Sequence, residues 1–437
     1  MRYYLKKYYI LGLLVLLFSI SSVAQSDLSS PYSRFGLGDI STGSPNTILK
    51  GMGGISNAMS GKTLLNPNNP ASYASLDTLS FVFDAGFYIK TANFSTNKLS
   101  EPGSNASFDY ASVGMSLAKW WKVGLGIMPY SNREYNVITE YHDMGTYNIA
   151  FQGEGGISKV FFANGFKLTK DLSVGVTASY IFGTLIDNTT IYFPDSTYFL
   201  NGRRSIDMRI SDFNFDYGIM YRLPIPNWNI TLGLTYSQGS NIASKRDLFI
   251  RNMFKGYGNL TENPVDTILY KEDEIVNISI PHGFGGGITI DRGRGWLIGA
   301  DFNWAGWKGF EMNGVNDSLQ NSWNIAIGGS YKPESTSISK YYKKITYRAG
   351  FHFDQTYYNI YGQSINKYGV TFGLGLPVPR SLTSFNVALE LGTMGTTQND
   401  LVKETYFNIS VSMSIHDRWF IKRKYKFILY KYISYLS

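Results

Sequence analysis

Four histidines are the first residues to test for chemistry, and none has a partner at a metal-ligand spacing. His142, His282, His352 and His416 are scattered through 437 residues, and the chain has no cysteine to complete a site. His142-Asp143 reads as a solvated loop pair. Gly283-Phe284-Gly285-Gly286-Gly287 has the glycines of a phosphate loop but not the following Lys-Ser/Thr and helix. No serine nucleophile with a base can be placed, so no enzyme, metal or cofactor is expected. The remaining reactive groups are Asp84, Asp216, Asp301, Glu390 and Arg348, each in the polar phase of an alternating segment. They read either as a substrate or ion path or as a hydrogen-bonded network holding an inner segment to a wall. Buried charges are normally paired, so Arg348 is expected to meet one of the acids.

The inner segment is Gly51-Met52-Gly53-Gly54-Ile55-Ser56-Asn57-Ala58 followed by Asn66-Pro67-Asn68-Asn69-Pro70-Ala71-Ser72-Tyr73. Glycines permit tight turns, prolines remove amide donors, and small side chains let backbone approach backbone. It reads as a plug spanning residues 25–78.

Arg2, Lys6 and Lys7, the apolar run Ile10 to Ile20 and Ser22-Val23-Ala24 have the order of a secretory signal peptide, with cleavage expected after Ala24. The run is shorter than the roughly 20 residues of a membrane-spanning helix. Aromatics are 16% of the chain and charged residues 16%, against a usual charged fraction of about 25%. The formal charge of +8 belongs to the leader and to residues 417–437, leaving 25–416 neutral. The basic pI therefore gives no argument for nucleic acid.

From Leu79 the pattern becomes period two. Leu79, Phe81, Phe83, Ala85, Phe87 and Ile89 alternate with polar or small residues, and the same alternation recurs from Leu172 to Phe182 and from Phe407 to Ile415. Strands are expected at 79–90, 106–118, 121–131, 144–167, 171–185, 204–222, 227–240, 275–290, 295–306, 319–333, 341–354, 367–376, 383–396 and 402–416. Their connections tend to alternate between long (91–105, 132–143, 186–203, 241–274, 307–318, 355–366, 397–401) and short (119–120, 168–170, 223–226, 291–294, 334–340, 377–382). A transmembrane barrel has this asymmetry, with long extracellular loops, short periplasmic turns and both termini in the periplasm. The expected fold is all-β, a 14-stranded antiparallel transmembrane β-barrel over 79–416 around an N-terminal plug.

Alternation alone permits the apolar phase to face in or out. Export, loop asymmetry and polar phases built of Ser, Gly and Asn place it outward, toward outer-membrane lipid. Trp120, Trp121, Trp228, Trp296 and Trp304 near strand ends fit interfacial girdles. The segment 144–167 exceeds the roughly 9 to 11 residues needed to cross a membrane, and Gly153-Glu154-Gly155-Gly156 interrupts it. That reads either as a kink opening the wall sideways or as a bulge in an extended strand.

The plug motif (Gly51, Met52, Gly53, Gly54, Ala58, Asn66, Pro67, Asn69, Pro70, Ala71) and the fourteen strands resemble the FadL/TodX family of outer-membrane transporters. The resemblance implies passive uptake of a hydrophobic small molecule through a plugged lumen, with lateral exit at a kinked strand. Gly153 to Gly156 is the candidate for that kink and Pro129 the alternative. Pro31-Tyr32-Ser33-Arg34-Phe35-Gly36 and Arg418-Trp419-Phe420-Ile421-Lys422-Arg423-Lys424-Tyr425 resemble a Bacteroidota branch of the family. That branch includes accessory subunits of secretion or barrel-assembly complexes, so envelope protein partners are the alternative. The tail 417–437 is basic and aromatic. It suits an anionic membrane surface or a partner, or else an unstructured periplasmic extension. Oligomeric state stays open.

Overall fold

In a computed structural model the described residues are 30–40, 46–142, 146–195, 199–254, 263–293, 295–312, 317, 319–334, 340–379 and 381–418. The expected leader 1–24 and the tail beyond 418 lie outside them. Fourteen antiparallel strands form a closed barrel: β1 (Ser80–Ser95), β2 (Ser100–Ser116), β3 (Trp121–Asn132 and Tyr135–Tyr141), β4 (Tyr147–Lys167), β5 (Leu172–Tyr192), β6 (Asn201–Ile225) and β7 (Trp228–Ser237 and Ser240–Phe254). They continue with β8 (Asn263–Ile280 and Gly283–Asp291), β9 (Trp296–Ala305), β10 (Ser322–Tyr331), β11 (Thr346–Ile360), β12 (Gln363–Pro377), β13 (Ser384–Met394) and β14 (Lys403–Arg418). β3, β7 and β8 are each interrupted once, and both halves of each pair with the same neighbour. β14 closes on β1 from Lys403↔Ser95 to Arg418↔Ser80, which abolishes sheet edges around the membrane zone.

Each expected strand has its counterpart, but several run further toward the long-loop end. Most of 91–105 and 241–274, expected as loops, is strand, and β6 to β8 rise together as a ribbon. Lys245-Arg246-Asp247 and Lys271-Glu272-Asp273-Glu274 put charge into both phases there, so the apolar alternation that signals a strand fades while the hydrogen-bond ladder continues.

The membrane zone has its greasy face outside. Phe87 is 61% exposed, Leu234 60% and Leu391 56%, whereas Asp84, Ser112, Thr177, Asp301 and Ser412 are buried inside. An apolar belt of this size would be a liability in water and is what a bilayer solvates. Aromatic pairs mark its margins. Trp120 stacks on Trp121 and Phe166, and Trp228 meets Trp296 edge-on, at the short-turn end; Phe284 with Trp304 and Trp323 with Phe353 sit toward the long-loop end.

The wall is uneven at two places. β4 pairs with β5 without a break from Asn148↔Tyr192 to Lys167↔Ser173. On its other side only Glu154 and Gly155 face the interruption in β3, and the Arg133 amide donates to the Gly155 carbonyl at 2.9 Å. Gly155 has φ +104°, a left-handed conformation that glycine tolerates. Gly153 to Gly156 thus lie opposite the interruption in β3, in a strand whose pairing with β5 is unbroken. The ladder between β2 and β3 does thin. It runs only from Ser116↔Lys122 to Ala111↔Ile127, after which Pro129 shifts the β3 register and Ser131-Asn132 turn to an inner strand, Asp39–Ile40. Proline has no amide to give a ladder, so pairing ends beside it.

Candidate functional site: a lumen closed at both ends

The N-terminal segment fills the lumen in two pieces. The first, Ser30 to Ile40, lies at the long-loop mouth. There Tyr32 donates its hydroxyl to the Val402 carbonyl, Tyr357 donates to the Gly38 carbonyl, and Arg133 bridges the Gly36 carbonyl and Asp187. Tyr32, Leu37, Trp307, Phe310, Leu319, Tyr357 and Tyr358 join one buried apolar cluster that seals this mouth. The second piece, Asn46 to Leu76, occupies the short-turn half. The plug expected as one unit over 25–78 is therefore divided between the two ends.

The inner piece is built on asparagines. Asn46 caps the short helix Thr47–Lys50 by accepting from the Ile48 amide at 2.8 Å, and its own amide donates to Asp84 Oδ2 and the Leu65 carbonyl, each at 3.0 Å. Asn66 closes the Ser56–Met59 turn by donating to both carbonyls, and Asn69 caps the Pro70–Ser75 turn by accepting from Ala71. Gly53 and Gly54 have φ +72° and +83°, and the Gly53 amide donates to Thr371 Oγ1 at 2.8 Å. Asp301 Oδ2 accepts the amides of Ser56 and Asn57 at 2.5 and 2.7 Å, so a wall carboxylate satisfies two backbone donors of the plug.

The wall receives this piece through glycines on the lumen-facing phase. A Cβ on Gly165 would stand 2.6 Å from the Ala74 amide nitrogen, and one on Gly51 would stand 2.9 Å from Gly373 Cα. Gly124 faces the Tyr73 ring, Gly175 faces Pro70-Ala71, Gly218 faces Asn69, Gly233 faces Asn57-Ala58, and Gly328 and Gly350 face Met52-Gly53. Nearly every strand contributes to this belt. Its signal in the sequence is a glycine in the polar phase of strand after strand, and that pattern was not read as a seat for the plug.

Between the two seals lies a chamber of about 420 Å³. Several of its charges are paired along the wall or with the plug: Lys50 of the plug with Asp109 at 2.6 Å, Lys159 with Asp216 at 2.8 Å, and His352 between Asp354 at 2.7 Å and Glu390 at 3.0 Å. Glu390 also accepts from Tyr406 at 2.8 Å. Lys90 meets Glu404 at the same level. The five charges singled out in the sequence all face the lumen but do not form one network. Asp84 and Asp301 hold the plug, Asp216 and Glu390 line the chamber, and Arg348 lies near the short-turn end against Gly373 and Gly375. Among the described residues Arg348 has an amide partner, Asn386 Oδ1 at 3.4 Å, and no carboxylate, so its expected pairing with an acid does not form there. Those acids are engaged instead by plug amides, Lys159 or His352 at other heights. The lysines that answer the acids, and Asn46 of the plug, were the residues missed. Their spacing along the chain carries no trace of which strands become neighbours.

The family model described as BamG matches residues 5–426. The fold is similar to that of the CymD monoaromatic hydrocarbon channel, at 14% identity and TM-score 0.59, covering 88% of this chain and 99% of that one. It is also similar to a Pseudomonas aeruginosa FadL homologue, at 12% identity and TM-score 0.60, covering 87% and 100%. A third solved structure, the Ralstonia pickettii toluene transporter TbuX, aligns at 13% identity and TM-score 0.59 over 86% and 98%. No curated protein matches the sequence. At these identities the likeness is one of fold: a FadL-like outer-membrane β-barrel.

Proposed function

The chain belongs to the BamG family, and from that premise and the closed lumen we propose that it acts as a corked barrel subunit of an outer-membrane protein complex. Its wall and extensions contact partners, and no solute crosses it. The observation that carries this reading is the chamber lining. A site for a hydrophobic molecule is mostly apolar, whereas this one presents Asp39, Lys90, Lys159, Asp216, Asp354, Lys367 and Glu390. An apolar guest would strip water from paired charges and return nothing. The ribbon of β6 to β8 offers a surface instead, since Ile268 and Ile275 stand 60% and 72% exposed beyond the lipid belt. In this reading the short turns face the periplasm.

A second reading, passive uptake of a hydrophobic small molecule, is favoured by one feature. The chamber touches the thinned wall between β2 and β3, with Asn105 and Asp109 on one side and Met128 to Asn132 on the other. CymD and TbuX are described as a hydrocarbon channel and a toluene transporter. Purification of the intact protein from its native membrane in mild detergent separates the two. A stoichiometric protein partner supports the subunit, and a co-purified apolar molecule without a protein partner overturns it in favour of uptake.

A further inference from the structure

At the short-turn end a second cavity of about 430 Å³ lies between plug and wall. Lys122 on β3 and Lys167 on β4 point into it from the lumen-facing phase, as does Arg222 on β6. The phase is fixed by Gly124, Gly165 and Gly218, which stand two or four residues along the same strands and face the plug. These cations are therefore not the lipid-facing lysines that border any outer-membrane barrel. Lys62 faces them from the plug, and Lys119 and Lys170 stand on the adjoining turns. Asp77 and Asp171 are the acids of the lining, and none of the six cations has a carboxylate within 4.0 Å among the described residues. Lys122 is 4% exposed, with its Nζ donating to the Ala74 carbonyl at 3.2 Å. The buried Lys122 ammonium has one neutral carbonyl at contact distance and the Asp77 carboxylate only further off, beside converging like charges, so a further anion there is favoured.

We infer that this cavity is an anion site for a phosphate group, set so that the bound anion ties the plug, through Lys62 and the Ala74–Asp77 backbone, to β3, β4 and β6. Several ammonium groups and a guanidinium converging on one polar cavity match a phosphate's oxygens. The Lys62 carbonyl accepts the Asp77 amide at 3.1 Å, so the two plug segments that frame the cavity move together. The site does not depend on whether the barrel is a complex subunit or a conduit. A phosphate could reach it from solution or on a membrane lipid.

The test uses the full chain in uncharged detergent, with hydrogen exchange of residues 59–63 and 74–78 followed against inorganic phosphate and glycerol phosphate, with chloride at matched ionic strength. At phosphate about tenfold above its Kd, opening of these segments is expected to slow about tenfold. Lys122→Met with Lys167→Met is expected to abolish the response, and the exposed Arg222→Gln to weaken it if the double variant folds poorly. Nanodiscs of phosphatidylglycerol against phosphatidylcholine, without added phosphate, identify the source. Protection only with phosphatidylglycerol means a lipid headgroup, and protection only with the soluble anions means a solute. An equal response to chloride, an unchanged response in both variants, or protection by an acidic peptide with none by phosphate in any form would overturn the inference.

Discussion

Replacing Asp301 with alanine tests whether the plug is held by the wall or merely rests in it. The Asp301 carboxylate is 4% exposed and is the acceptor for the Ser56 and Asn57 amides. Leaving a buried donor unsatisfied costs about 1–3 kcal/mol. Two such donors give about 2–6 kcal/mol, and a water entering the space left by the side chain brings the figure to the lower half of that range. At about 2–3 kcal/mol, exchange at Ser56 and Asn57 should rise about 30- to 150-fold. Asp301→Asn keeps one side-chain oxygen and should cost less than half as much. Ladder amides of β9 and β10 serve as the internal control, because Asp301 uses its side chain alone to reach the plug. Wild-type exchange in the alanine variant would refute the seat, and equal exchange in the two variants would show that the acceptor is not what matters.

Two more outcomes follow from the same geometry. Gly175→Val drives a side chain into the Pro70-Ala71 backbone and should loosen residues 69–76 by about 1–3 kcal/mol, read by limited proteolysis, whereas Gly202→Val, with nothing within 4 Å of its Cβ, should leave the plug seated. On the β6 to β8 ribbon, outside the membrane zone, Asp247 accepts the Asp273 amide and the Arg209 guanidinium, and Glu274 accepts from Arg246; both carboxyls are held below their usual range. Groups with lowered folded values contribute stability above their unfolded pKa of about 4 and lose it as pH falls through the folded value. Nicking of residues 245–274 by an acid-active protease should therefore appear only below about pH 4, and Asp247→Asn should flatten that dependence.

The barrel was legible because each membrane-crossing stretch must alternate, as Leu172 to Phe182 does, and because the leader-like pattern of residues 1–24 and the Ser-Gly-Asn polar phases oriented the alternation. Asn66, Pro67, Asn69 and Pro70 announced a compact inner segment for equally local reasons. What stayed hidden depended on non-local pairing. Residues 241–274 looked like a loop because charged residues occupy both phases of that ribbon, and Lys159 gives no sign in sequence that it will meet Asp216 across the intervening β5. Tyr32 to Phe35 lies within the segment read as plug, yet its aromatics are claimed by Trp307, Tyr357 and Tyr358 at the opposite end.

The path of residues 30 to 76 from one mouth to the other also constrains how the molecule can be made. A thread pinned at the top by Tyr32 and Arg133 and at the bottom by the Asn66–Tyr73 knot, with wall glycines in backbone contact along its lower half, is expected to be in place before the ring closes. The expected last step is then the seam where Lys403–Arg418 zips onto Ser80–Ser95.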